Sequence, residues 1–239
     1  MTDAWSGRAQ AFRESVTHAS GDDLDLVVAW CEPGPGVNVL DVATGGGHVA
    51  RRLREAGAKV VTVDAAPGMV PDVIAPADHL PFADGSFDAI VSNSTLDHFE
   101  TIEELVVALR ELARITRPGG TLVLTLDNLA NPVVALRSVL PQTPLRRLGL
   151  VPYYVGATCG PRQMCTLVRE AGFEVDQVET LMHCPRVLAV ATARVVDRYG
   201  SAALQQRFLR HLTWYDRLGR WPTRHLTSYF TAVRAVRAG

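Results

Sequence analysis

Apolar positions along this chain keep two rhythms that alternate from segment to segment. Val37 to Val42 is a strand-like run rich in β-branched residues; Thr44-Gly45-Gly46-Gly47 then turns into a helical pattern carrying Val49, Leu53 and Ala56, closed by Gly57. Lys59 to Asp64 is a second β-branched strand, so residues 37 to 64 predict one βαβ unit with a right-handed crossover. Asp88 to Ser92 continues as a strand. Thr101-Ile102-Glu103-Glu104 opens a helix in capping-box form, and its Leu105, Leu109, Leu112 and Ile115 recur at helical spacing. Arg117-Pro118-Gly119-Gly120 is expected to end that segment, with a strand over Thr121 to Leu126. A helix closing at Leu167 to Ala171, a strand over Phe173 to Val178 and a last strand over Tyr229 to Val236 complete the series, and residues 22 to 32 read as a short helix before it.

Alternating β and α segments predict one α/β domain spanning residues 1 to 239, a Rossmann-like three-layer sandwich with a mainly parallel seven-stranded sheet. Two stretches break the alternation. Residues 129 to 160 are rich in Pro, Leu and Arg and contain Tyr153-Tyr154, whereas residues 185 to 220 read as two amphipathic helices with Trp214 and Tyr215. Both are expected beside the carboxyl ends of strands, where open α/β sheets bind ligands, and so read as helical cap inserts over a substrate pocket. The other use of such inserts is as packing helices or as the face of a homodimer.

Composition narrows the partners. A formal net charge of −1 gives no overall footprint for nucleic acid or an anionic membrane surface, which points to a small-molecule acceptor and away from nucleic acid. Clustered Arg137, Arg146 and Arg147 read mainly as a solvated face. Arg or Asp interrupts every apolar run too early for a membrane span. The four cysteines, Cys31, Cys159, Cys165 and Cys184, form neither a disulfide framework nor a CxxC zinc pattern, and no signal peptide is evident at the start of the chain, so a cytoplasmic location is expected.

Gly45 to Ala50 fits G-x-G-x-x-A, and Asp64 follows at the spacing of an acid that grips ribose hydroxyls. Glycines let the backbone approach a ligand, a helix start offers free N–H groups, and a carboxylate accepts two hydroxyl protons. A dinucleotide and S-adenosylmethionine both satisfy these conditions.

Three longer segments separate the two. Val39-Leu40-Asp41-Val42-Ala43-Thr44-Gly45-Gly46-Gly47 resembles the first motif of the class I S-adenosylmethionine-dependent methyltransferases, Leu80 to Ile90 resembles their next signature, and Arg117-Pro118-Gly119-Gly120 before a strand resembles the third. The likeness covers residues 37 to 128 and points to the small-molecule, UbiE-like type 11 branch. It implies S-adenosylmethionine as cofactor and S-adenosylhomocysteine as product. By motif position, Asp41, Ala43, Thr44, Gly45 and Gly47 would pass the methionine end of the cofactor, and Asp64 with Ala65 would hold the ribose. Asp78 would bond the adenine amino group, His79 and Leu80 would flank the ring, Met69 would pack on it, and Asn93 would approach the methionine ammonium. The sequence departs from the family in two ways. Ala43 replaces a common glycine, and only 14 positions, with Pro71 and Pro76 among them, separate Asp64 from Asp78, too few for the usual helix between them.

Methyl transfer from a sulfonium needs alignment more than a nucleophilic triad. An acceptor that carries a proton can need a base, and His98, in a region that often faces the acceptor in this family, is the candidate; Tyr153, Tyr154 and His183 are alternatives on the cap side. Asp127 is the second candidate catalytic group, because Asp127-Asn128 resembles the Asp-Asn ligand pair of metal-assisted O-methylation. The acid which that branch takes from the preceding strand end is replaced by Asn93 and Ser94, so no metal is expected. The expected function is methylation, by preference on oxygen, of a small or medium, partly hydrophobic organic acceptor. An NAD(P)-dependent oxidoreductase using the same turn and a non-catalytic cofactor-binding protein are the competing readings.

Overall fold

The computed structural model describes residues 22–141, 156–184, 192 and 200–239. The apolar runs become a seven-stranded sheet: β1 (Asn38–Val42), β2 (Lys59–Asp64), β3 (Val73–Ile74), β4 (Phe87–Asn93), β5 (Thr116–Asp127), β6 (Phe173–Leu181) and β7 (Phe230–Arg237). They are ordered β3-β2-β1-β4-β5-β7-β6. The first five strands pair in parallel, and β7 lies antiparallel between β5 and β6. Strand order reverses beside β1, between β1 and β4, which in such sheets opens a crevice beyond the carboxyl ends of the strands.

Period-two alternation in these strands supplies two cores. On one face Leu40, Val42, Ile90, Leu122, Leu124 and Leu126 meet α3 (Ile102–Ile115) and α5 (Pro161–Glu170). On the other, Val39, Ala89, Val91 and Val123 meet α1 (Asp22–Trp30), α2 (His48–Glu55) and Val134 of α4 (Pro132–Val139). Burying both faces explains why β5 reads as a continuous apolar run rather than an alternating one. Helix α3 starts as its sequence predicts: Thr101 accepts from the Glu104 N–H, and the Glu104 carboxylate accepts from the Thr101 N–H. Such a box contributes about 1 kcal/mol.

Several boundaries differ from expectation. Helix α3 ends at Ile115, ahead of Arg117 to Gly120 as expected, but β5 begins at Thr116 and includes these residues, a register shift between Phe87 and Ala89 of β4 absorbing the extra length as a bulge. Strand β6 runs three residues beyond Val178, to Leu181. The chain between Asp64 and Asp78 holds one 3-10 turn, Pro67–Met69, and the two-residue β3 in place of a helix. In the second insert the described elements are α6 (Ala202–Trp214) and a 3-10 turn Tyr215–Arg220, so one of the two expected helices falls among the described residues; α7 (Arg224–Thr227) follows the insert. Tyr153, Tyr154, Arg146, Arg147 and most of 185–199 lie outside the described residues.

Candidate functional site

At the carboxyl end of β1 the chain must reverse into α2 within five residues, and it does so with three left-handed residues: Ala43 at φ 55°, Gly45 at 51° and Gly47 at 73°. Gly45 and Gly47 adopt this conformation freely, whereas Ala43 carries a Cβ penalty of about 1–2 kcal/mol. That angle explains why the methyltransferase pattern favours glycine at this position. A Cβ built on Gly47 would meet nothing within 4 Å, and one on Gly45 only the Ala43 carbonyl at 3.9 Å. The glycines therefore border open space that side chains would fill.

Two carboxylates hold the turn. Asp41 is buried under the start of α2, where its Oδ2 accepts from Thr44 Oγ1 at 2.6 Å and from the Ala50 N–H at 3.2 Å. Burial pushes its carboxyl up to about 6, against the pull of both hydrogen bonds. Asp64, half-buried at the end of β2, accepts from the Gly45 N–H at 3.0 Å and, through its other oxygen, from the Ala66 N–H at 2.8 Å. It thus ties the β1 turn to the segment that carries Ala65.

Asn93 ends β4 beside this turn. Its Oδ1 accepts from Thr125 Oγ1 at 2.7 Å, and Thr95 Oγ1 bridges the Asn93 carbonyl at 3.0 Å to the Ala43 carbonyl at 3.4 Å. Asp41, Ala43, Thr44, Gly45, Gly47, Asp64, Ala65 and Asn93 are thus joined through hydrogen bonds or direct chain neighbours. The adenine-side candidates divide. Met69 and Leu80 are buried, Leu80 within the α3-side core, while Asp78 and His79 are exposed.

The short link between β2 and residue 80 is fixed by groups that sequence reasoning missed. Asp72 accepts from Thr62 N–H and Oγ1 at 2.9 and 2.8 Å and pairs with Arg54 at 3.1 Å; the Thr62 hydrogen bonds hold its carboxyl below the usual range. Arg114 donates to Glu111, Asp84 and the Leu80 and Phe82 carbonyls, while Glu111 accepts from the Leu80 N–H, so residues 80–84 are strapped to α3. No spacing rule marks these partners, which are distant in sequence.

His98 ends the 3-10 turn Leu96–His98 beyond β4 and is half-buried. The returning end of the first insert packs backbone to backbone on this turn: the Gly156 N–H donates to the Asp97 carbonyl at 2.8 Å, and the Ala157 N–H donates to the Phe99 carbonyl at 2.7 Å. A Cβ at Gly156 would collide with the Phe99 carbonyl. The glycine is required by close approach, a role hidden in an insert without a recognisable motif.

Asp127, the second candidate catalytic group, ends β5. Its buried carboxylate pairs with Arg137, whose guanidinium also donates to Tyr229 Oη and lies 5.6 Å from that ring's centroid. The ion pair ties the end of β5 to α4. Asn128 directs its amide to the His225 and Ser228 carbonyls at 2.6 and 3.2 Å and to Ser228 Oγ at 2.8 Å, fastening the end of β5 to the segment before β7. The Asp127-Asn128 pair thus fastens the end of β5 to the elements around it. His183 is likewise a strut: Thr227 Oγ1 at 2.8 Å and the Thr180 carbonyl at 3.3 Å engage its two ring nitrogens, and burial lowers its pKa.

Residues 40–124 match the model of a methyltransferase domain. Over 99 residues the chain is 42% identical to a demethylmenaquinone methyltransferase of Beutenbergia cavernae, covering 37% of this chain and 40% of that protein. Over 122 residues it is 37% identical to the demethylmenaquinone methyltransferase of Corynebacterium efficiens, covering 48% of this chain and 51% of that protein. The matched stretch thus spans about half, or less, of the length of these curated relatives. In fold, the chain is similar to Haemonchus contortus phosphoethanolamine N-methyltransferase 2 in complex with S-adenosyl-L-methionine, with a TM-score of 0.64 at 16% identity over 100% of this chain and 58% of that one. Residues 40–124 are thus similar to a methyltransferase domain, and the chain shares the fold of a solved methyltransferase. The open space beside Gly45 and Gly47 suits a ligand lying against the backbone.

Proposed function

We propose that the protein transfers a methyl group from S-adenosylmethionine to a small or medium, partly hydrophobic organic acceptor, with oxygen as the acceptor atom. The observation that carries the reading is the left-handed turn Ala43 to Gly47, backed by Asp41 and closed by Asp64, with open space where side chains would otherwise stand. S-adenosylmethionine supplies an activated sulfonium methyl and leaves as S-adenosylhomocysteine. Asp64 offers acceptor oxygens to the ribose hydroxyls, and the Gly45–Gly47 backbone lines the methionine end. Asp41, whose burial outweighs the pull of Arg54 and of its two hydrogen bonds, favours a cationic group bound near the turn. Asn93 presents a side-chain amide at the same edge, and Met69 and Leu80 form an apolar wall toward the adenine, with Asp78 and His79 at its rim.

His98 takes the acceptor proton, and the contacts of Gly156 and Ala157 set the position of its turn. The inserts at 129–160 and 185–220 cap the acceptor pocket at the carboxyl edge of the sheet, since both follow strands that end there. The relatives named for demethylmenaquinone suggest the kind of acceptor: a ring carrying an apolar substituent.

The test is incubation with methyl-labelled S-adenosylmethionine and a panel containing demethylmenaquinol, whose ring carries free hydroxyls, simple phenols and polar amines, read by mass spectrometry. Label on a hydrophobic ring acceptor, lost in His98→Ala at unchanged cofactor affinity, is the expected result. Label only on polar amines, or cofactor binding without any labelled product, overturns the acceptor reading.

A further inference from the structure

Charge that is invisible in the total is concentrated in one segment. Residues 202–227 carry Arg207, Arg210, Arg217, Arg220 and Arg224 against the single acid Asp216, within a chain of net charge −1. Arg207, Arg217 and Arg220 are exposed and have no ion pair among the described residues; Arg224 pairs with Glu179 at 3.5 Å.

Apolar groups stand among these charges on the outside. Helical spacing puts Leu204, Arg207, Phe208, His211 and Trp214 on one face of α6, and that face lines an open groove of about 700 Å³ instead of packing into the core. Leu204 is 47% exposed and Trp214 53%. The Trp214 ring meets Tyr215 edge to face, and Tyr215 meets His211 in the same way. Beyond the turn, Trp221 at 63% and Leu226 at 54% continue the exposed apolar surface. A helix face turned to water is normally polar; here it combines indole, aliphatic and guanidinium groups.

We propose that α6, its following turn and α7 form a docking surface for an anionic lipid bilayer. Indole rings settle at the boundary between headgroups and acyl chains, leucines reach hydrocarbon, and guanidinium groups pair with lipid phosphates. Charge complementarity favours this occupant over a second copy of the same face, which would set five arginines against five. Leu204 and Leu226 favour it over a single-stranded nucleic acid, whose bases stack on aromatic rings and gain little from aliphatic side chains. The docking itself is independent of the acceptor reading.

The experiment is co-sedimentation of the full chain with phosphatidylcholine vesicles, with and without phosphatidylglycerol, alongside quenching of tryptophan fluorescence by brominated lipid. Sedimentation with the anionic vesicles only, weakened by salt, is expected. Arg217→Ala/Arg220→Ala should weaken partitioning about thirtyfold, since each arginine near such a surface contributes about a factor of five. Trp214→Phe/Trp221→Phe should remove most of the quenching, and both double variants should retain S-adenosylmethionine affinity, which is titrated separately so that either reading can fail alone. No sedimentation at low salt, binding that ignores both double variants, or binding to single-stranded RNA but not to vesicles overturns the proposal.

Discussion

Asp41→Asn tests the electrostatics of the turn. The carboxyl lies beneath α2, and burial pushes it from an ordinary 3.8 to about 6. Because the folded-state value is the higher one, the native protein binds more protons than the unfolded chain between these limits. The stability that the protonated group contributes is therefore complete below pH 3.8 and lost as pH rises through about 6. At about 1.4 kcal/mol per tenfold change, the whole loss is about 3 kcal/mol, of which about half falls between about pH 5 and about pH 8. Asparagine keeps an oxygen to accept from Thr44 Oγ1 and the Ala50 N–H but has no charge to desolvate. In urea denaturation without cofactor, the stability of the variant relative to wild type should improve by about 1.4 kcal/mol on moving from about pH 5 to about pH 8. A difference that is constant across this range, or that moves the other way, refutes the assignment of a costly buried charge. The same reasoning expects wild-type affinity for S-adenosylmethionine to rise with pH through about 6, as the carboxylate forms opposite a cationic ligand, and Asp41→Asn to flatten that rise.

Other changes probe the supports of the site. Ala43→Gly should relieve the Cβ strain at φ 55° and raise stability by about 0.5–1 kcal/mol after the entropy of the unfolded chain is counted; a lower melting temperature contradicts this. Arg137→Met leaves the Asp127 carboxylate buried without its guanidinium and should cost about 3 kcal/mol, whereas adding Asp127→Asn should recover part of that loss in a double-mutant cycle. Gly156→Ala forces a methyl group onto the Phe99 carbonyl and should lower methyl-transfer turnover at least about tenfold through displacement of the His98 turn, with cofactor affinity held within about twofold. Equal losses in turnover and cofactor binding would make Gly156 a fold residue only.

The sheet was legible in sequence because both faces of its strands are buried, so Val37 to Val42, Lys59 to Asp64 and Thr121 to Leu126 announce themselves by composition alone. The capping box at Thr101 was legible because all its parts lie within four residues. Arg117 to Gly120 misled because proline and glycine usually stop strands, and only the partner strand reveals the bulge that accommodates them. Gly45, Gly47 and Asp64 were readable because their backbone angles and spacing admit few alternatives. The surroundings of Asp127 were not legible for want of long-range information: its partner Arg137 lies in the next helix, and Tyr229 is about a hundred residues away. The supports at Asp72, Glu111 and Gly156 depend on contacts between distant segments, and the Arg-Trp surface at 202–227 disappears in a whole-chain charge total.

The most direct test of the central claim is isothermal titration of the protein with S-adenosylmethionine, S-adenosylhomocysteine and NAD, beside Asp64→Ala verified as folded by its thermal melt. Asp64 bridges the Gly45 and Ala66 N–H groups and is proposed to hold the ribose, so the variant should bind both sulfur cofactors at least about tenfold more weakly. Wild-type binding of these two and not of NAD is the expected result. Binding of NAD alone, or of none of the three, would contradict the account.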